Sequence, residues 1–317
     1  MKSRLIYWLT YAGMWLLALL PFKALYALSD GLCFLMHHVV HYRRSVVRTN
    51  LRHAFPEKSE TELRDIERGF YRYICDYMLE EVKMLRMSFK ELCRRMEYDN
   101  KEEYLAMIEK HGGIVLLIPH YANFEWITGM SSIMQEGDIP VQIYKPLHNK
   151  YMDAMFKRIR ARFGGYNVPK HSTAREIIKL RRDNKRVAVG MITDQSPNPN
   201  EAHHWTTFLN QDTGFMDGAE RIAKLMDFPV FYCELKKQGR GYCRVRFDLI
   251  TETPKATADG EITECFARRL EQTIRREPPY WFWSHKRWKL KREDAIKKIL
   301  KDIKAEKLTA YVDKVSD

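Results

Sequence analysis

Four continuous apolar runs, at residues 114–119, 139–144, 187–192 and 229–235, constrain this chain more than any other feature. Each is short, each is bounded by turn residues, and helical stretches near residues 124–135, 151–163, 174–183 and 218–226 separate them. Runs with no alternating polar face belong to strands covered on both sides, and strands joined through helices pair in parallel by βαβ crossovers. The expected fold is therefore α/β, with a largely parallel central sheet flanked by helices. After the fourth run, Gly239 to Gly241 predict a hairpin leading into residues 243–249 as an antiparallel edge strand.

The N-terminal third reads differently. No charged residue occurs from Leu5 to Leu20, and Pro21 closes the run, which predicts a membrane-anchoring helix. A full span takes about 20 residues. The stretch either spans with help from its flanks or lies in the interface together with the mostly apolar residues 22–40. Tryptophans inside the run and the missing small-residue cleavage pattern argue against a removed signal peptide. The basic cluster His41, Arg43, Arg44, Arg48 and Arg52 outweighs Lys2 and Arg4, so the remainder of the chain is expected on the cytoplasmic side of the membrane. Leu63, Ile66, Phe70, Tyr73, Ile74 and Tyr77 recur at helical spacing, predicting a helical extension through about His111. Beyond Arg292 alternating charges predict a solvated helix. The expected plan is an anchor at 1–40, a helical segment at 41–111, an α/β domain at 112–292 and a charged helix at 293–317.

Charge narrows the partners. Lys and Arg number 54 against 41 Asp and Glu, a formal net charge of +13, which favours nucleic acid, an acidic protein or an anionic membrane. Nucleic acid is disfavoured, because the basic residues flank an anchor and no reader motif accompanies them. The six cysteines form no CxxC pair and are expected as reduced core residues. His37, His38 and His41 have no carboxylate or cysteine at ligand spacing, so no metal is expected. No phosphate-binding glycine loop appears, so no nucleotide cofactor is expected either.

Chemistry concentrates where the first strand ends, in Ile114-Val-Leu-Leu-Ile-Pro-His120-Tyr-Ala-Asn123-Phe-Glu125. Catalytic residues in open α/β sheets sit just past the carboxyl ends of strands. On a continuous helix His120 and Glu125 would point about 140° apart. If His120 belongs to the loop and a helix starts near Asn123, the loop can fold back so that Glu125 bonds one imidazole nitrogen and fixes its tautomer. An ordinary imidazole titrates near roughly 6.5, suited to a general base. Asp194 and Gln195 follow a strand and reach the same sheet edge, where they are expected to orient substrate or a basic side chain. Lys145 and Asn149 precede the next helix and are candidate donors for a developing oxyanion. His285, Lys286, Arg287 and Lys289 are candidates for phosphate groups or an acidic carrier, with Trp281, Phe282 and Trp283 against acyl chains or bilayer. Arg158, Arg160 and Arg162 are expected to be mostly solvated.

Several blocks occur in a recognisable order: Arg48-Thr-Asn50-Leu51 with Phe55-Pro56; His120 to Glu125; Tyr144-Lys145-Pro146-Leu147-His148-Asn149; Asp194-Gln195; Phe208-Leu209 with Thr213; and Trp281-Phe282-Trp283-Ser284-His285-Lys286-Arg287-Trp288-Lys289. This order resembles the late acyltransferases of lipid A biosynthesis, within the larger His-x4-Asp/Glu lysophospholipid acyltransferase superfamily. The resemblance implies transfer of a fatty acyl group from an acyl carrier protein thioester to a hydroxyl of a phosphorylated glycolipid acceptor. His120 would act as base and Glu125 as its partner, with no acyl-enzyme and no cofactor beyond the thioester co-substrate. It also implies the bilayer and the acidic carrier protein as partners. Lys145 departs from an arginine, as do residues 197–206, with His203 and His204, and Gln211-Asp212 from that family's pattern. An acceptor among other membrane lipids, or a noncatalytic basic membrane-binding protein, are the competing readings.

Overall fold

The computed structural model describes residues 2–147 and 149–316, so His148 of the Tyr-Lys-Pro block lies outside the described residues. The chain opens with helices α1 (Lys2–Leu19) and α2 (Phe22–Phe34), a π-helical turn over Leu35–Val39, then α3 (Arg44–Ala54) and α4 (Glu60–Lys83). Pro21 separates α1 from α2 because it cannot donate into the preceding turn. Ser59 and Glu62 start α4 with a reciprocal capping box. The apolar face of α4, including Leu63, Ile66, Phe70, Tyr73 and Ile74, is buried as its spacing predicts.

No helix among the described residues is long and apolar enough to cross a membrane, which goes against the spanning alternative for residues 5–20. Instead α1 packs against α4 and against α7 (Lys150–Ala161). Lys83 caps its end by donating to the carbonyls of Ala18 at 2.8 Å and Leu20 at 2.6 Å. Its opposite face leaves Leu9, Leu16 and Leu19 exposed.

After α4 come α5 (Phe89–Arg95), β1 (Met96–Asp99), α6 (Lys101–His111) and β2 (Gly113–Ile118). The expected continuous helix to His111 is thus interrupted by a strand whose four residues are too few to show a period. A 3₁₀ helix over Phe124–Ser132 leads to β3 (Ile139–Tyr144), followed by α7, β4 (Tyr166–Pro169), α8 (Thr173–Arg182) and β5 (Val187–Ile192). The hairpin of β6 (Ala202–Phe208) and β7 (Gln211–Met216) precedes α9 (Gly218–Met226), β8 (Val230–Gly239), β9 (Tyr242–Thr251), α10 (Glu261–Arg276) and α11 (Arg292–Ser316).

Seven strands form one sheet in the order β1-β9-β8-β2-β5-β3-β4. The five from β8 to β4 run parallel, and β9 turns back antiparallel on β8. The mixed α/β fold with a largely parallel sheet is as expected, except that β9 is not an edge, because β1 pairs beside it in parallel. All six residues of β2 are buried, as its unbroken apolar run requires. All six cysteines are free thiols.

Candidate active site

Register places the first pair of site residues. β2 and β5 are parallel neighbours with Ile118 opposite Ile192, so the residues two further along each chain, His120 and Asp194, leave the sheet side by side. His120 Nδ1 lies 2.6 Å from Asp194 Oδ1, while Asp194 Oδ2 accepts the His120 backbone N–H at 3.0 Å and the Trp281 indole N–H at 2.9 Å. Burial alone would push this carboxyl up. The charge and hydrogen bonds of His120, with the indole, outweigh it and hold Asp194 below the usual carboxylate range. An ionised Asp194 makes Nδ1 the protonated nitrogen and leaves the Nε2 lone pair free to accept. The Gln195 amide nitrogen, 2.9 Å from Nε2, donates to that lone pair.

Glu125 is not the partner of His120. Ala122 adopts a left-handed conformation, φ +47°, with its N–H donating to Tyr280 O and its carbonyl accepting from Tyr73 Oη. The chain is thereby turned before the 3₁₀ helix begins, and Glu125 in its first turn faces α7, where it accepts from Arg160 Nε at 2.9 Å and Nη2 at 2.6 Å. This bidentate pair also corrects the expectation of a solvated Arg160. Loss of solvation works against the Arg160 charge, but Glu125 outweighs it and raises its proton affinity. Glu81 faces the same pair; burial, then the Glu125 charge, pushes its carboxyl well up.

His120 and Glu125 nonetheless open into one cavity of about 390 Å³, whose wall includes Phe124, Lys145, Phe156 and Arg160. A smaller recess of about 60 Å³ continues from it between Ile118, Met130, Val141 and Gly190. The missing side chain at Gly190 helps keep this recess open, since a Cβ there would stand 3.0 Å from Ile118 Cδ1.

The other predicted residues divide. Lys145 lines the cavity. Asn149 is the N-cap of α7, its Oδ1 accepting from the N–H groups of Tyr151 and Met152, and Asn123 is buried with its amide donating to Glu80 at 2.6 Å. Both have structural partners, although Asn149 is exposed and only Asn123 is closed off from solvent. His285 Nε2 accepts the Ser196 N–H at 3.1 Å, which locks the loop carrying Gln195, and burial followed by the Arg287 charge pushes its imidazole down to about 4. Arg287 is buried, donates to Gly214 O and lies over the Phe215 ring, so it braces the β6–β7 hairpin and is not open to phosphate; Lys286 and Lys289 are exposed. Trp281 and Trp283 are buried against each other and away from any bilayer, whereas Phe282 stands 5.6 Å from the His120 ring. Asn50 clamps this segment by donating to the carbonyls of Trp283 and His285 at 2.8 and 2.9 Å.

An imidazole oriented by a buried carboxylate, at the mouth of a cavity with aromatic walls and the cationic side chains of Lys145, Lys157 and Arg160, suits proton removal from a hydroxyl beside a greasy group. The profile of the bacterial lipid A biosynthesis acyltransferases matches residues 1–290. The chain belongs to that family. This acyltransferase is similar to the lipid A biosynthesis lauroyltransferase of Escherichia coli, 23% identical over 293 residues that cover 90% of this chain and 93% of the relative. It is also similar to a lipid A biosynthesis acyltransferase of Haemophilus influenzae, 26% identical over 164 residues, half of each chain.

Proposed function

We propose that this acyltransferase moves a fatty acyl group from an acyl carrier protein thioester to a hydroxyl of a phosphorylated lipid A precursor, at the cytoplasmic face of the inner membrane. The observation that carries the reading is the Asp194–His120–Gln195 chain at the mouth of the cavity. The acceptor hydroxyl displaces the Gln195 amide and donates to His120 Nε2. As its oxygen attacks the thioester carbonyl, Nε2 takes the proton and Asp194 stabilises the imidazolium. The C–S bond then breaks, the thiolate recovers that proton, and no acyl-enzyme or cofactor is needed. Lys145 and the Arg160 guanidinium face the cavity where the oxyanion develops. The acyl chain runs along Phe124 and Phe156 toward the recess at Gly190. Exposed Lys286 and Lys289 suit the acidic carrier protein.

The test is acyl transfer by purified protein from acyl carrier protein thioesters to underacylated lipid A precursors, read by mass spectrometry. The expected product gains one acyl group, and His120→Ala loses roughly 10²–10⁴ in rate while remaining folded. Full activity of His120→Ala would end the reading. Transfer only to a glycerophospholipid would keep the chemistry and overturn the acceptor.

A further inference from the structure

On the far side of α7 from the catalytic cavity lies a second cavity of about 320 Å³, walled by α1, α7 and the turn after α4. The two cavities are opposite by helical periodicity: Asp153, Phe156, Lys157 and Arg160 face one, and Ala154, Met155, Arg158, Ile159 and Arg162 face the other. Arg86, Arg158 and Arg162 converge on the second cavity, and none of them makes an ion pair among the described residues. All three are exposed, whereas Arg44, Arg48, Arg95, Arg160 and Arg240 elsewhere in the chain are neutralised by carboxylates.

Two of these guanidiniums, those of Arg162 and Arg86, are held by neighbours. Arg162 donates to the carbonyls of Met84 at 2.5 Å and Met87 at 3.2 Å, and Arg86 lies over the Trp15 ring at 5.2 Å. Loss of solvation, then the charges of Arg86 and Arg158, lower the proton affinity of Arg162, the signature of like charges brought together without a counterion. Tyr7, Tyr11 and Trp15 complete the wall at i, i+4 and i+8 along α1. The face of that helix turned away from the cavity exposes Leu9, Leu16 and Leu19, so a single helix carries both the aromatic wall beside the arginines and an apolar stripe, a composition suited to a membrane headgroup region.

We propose that Arg86, Arg158 and Arg162, with Tyr7, Tyr11 and Trp15, bind the phosphate of an anionic glycerophospholipid of the bilayer. Guanidinium forks match phosphate oxygens, and the tyrosine hydroxyls are further donors. The site opens away from His120 across the width of a helix, so a bilayer phospholipid fits it better than the acceptor of the reaction. Occupation would seat α1 at headgroup depth.

The test partitions the full-length protein onto phosphatidylcholine vesicles with and without phosphatidylglycerol, at low and high salt. Wild type should bind the anionic vesicles more tightly, and Arg86→Gln/Arg158→Gln should lower that gain by roughly fivefold per removed charge. This pair spares Arg162, whose backbone contacts support the fold; adding Arg162→Gln should remove the gain. A control with equal loss of charge at the far edge of the sheet, Arg244→Gln/Arg246→Gln, should keep most of it. Equal loss in the control, or none in the arginine variants, overturns the site. Competition by inorganic phosphate equal to that of the lipid would overturn the choice of a lipid ligand. Because the readout is binding, its failure leaves acyl transfer standing.

Discussion

Asp194→Asn tests the site at its most constrained atom. Asp194 Oδ2 accepts two N–H groups, from the His120 backbone and Trp281, and Oδ1 accepts a third from the imidazole. An amide has only one oxygen. Should that oxygen take the Oδ1 position, the new NH₂ would face two buried donors, leaving them unsatisfied at about 1–3 kcal/mol each. The amide therefore turns its oxygen to the two donors and its NH₂ to Nδ1, which must then accept. That forces the imidazole proton onto Nε2, where a base needs a lone pair. The expected result is a folded protein with turnover lower by roughly 10²–10⁴, comparable with losing the base itself. Initial rates of acyl transfer measured by mass spectrometry, beside urea unfolding, separate chemistry from stability. Turnover within about threefold of wild type would refute the orienting role of Asp194.

Other expectations are as direct. Arg160→Met strands the partly buried Glu125 carboxylate and should destabilise by about 3 kcal/mol, whereas Glu125→Gln/Arg160→Met should cost less than the sum of the single changes in a urea double-mutant cycle; additivity would mean the pair is not coupled. His285 is neutral in the fold with its imidazole pushed down to about 4, so its contribution of about 3 kcal/mol is present above roughly pH 6.5 and lost as pH falls toward 4. His285→Gln should flatten unfolding free energy over that window, and an unchanged slope would exclude this origin. Gly190→Val places methyls against Ile118 in the recess and should shift donor preference toward shorter acyl chains; an unaltered chain-length profile would show that the acyl group does not reach it.

The sheet was legible because burial on both faces leaves unbroken apolar runs, and those runs put His120 and Asp194 past the ends of two strands. What could not be read was strand order. Only adjacency of β2 and β5 with Ile118 opposite Ile192 makes Asp194 the nearest carboxylate to the imidazole. Without it, the carboxylate five residues along seemed the natural partner of His120. Its diversion rests on a left-handed Ala122, a conformation for which alanine carries no sequence signal. Arg160 was equally hidden: Arg158, Arg160 and Arg162 look alike in sequence, yet they end in two cavities on opposite sides of one helix. The aromatic and basic C-terminal block was visible as a block, but its burial came from packing against the β6–β7 hairpin, which spacing does not encode.

The Asn50 amide has a practical bearing. It joins α3 to the two carbonyls beside which the loop of Gln195 is locked, so the leading helices are not a leash that can be cut to free a soluble enzyme. Trimming the chain to residues 112–292 would keep every lining residue of the reaction chamber but remove Asn50, Tyr73 and Tyr77, which hold Trp283, Ala122 and Phe124 from behind, and any attempt to prepare that fragment should return aggregate instead of catalyst.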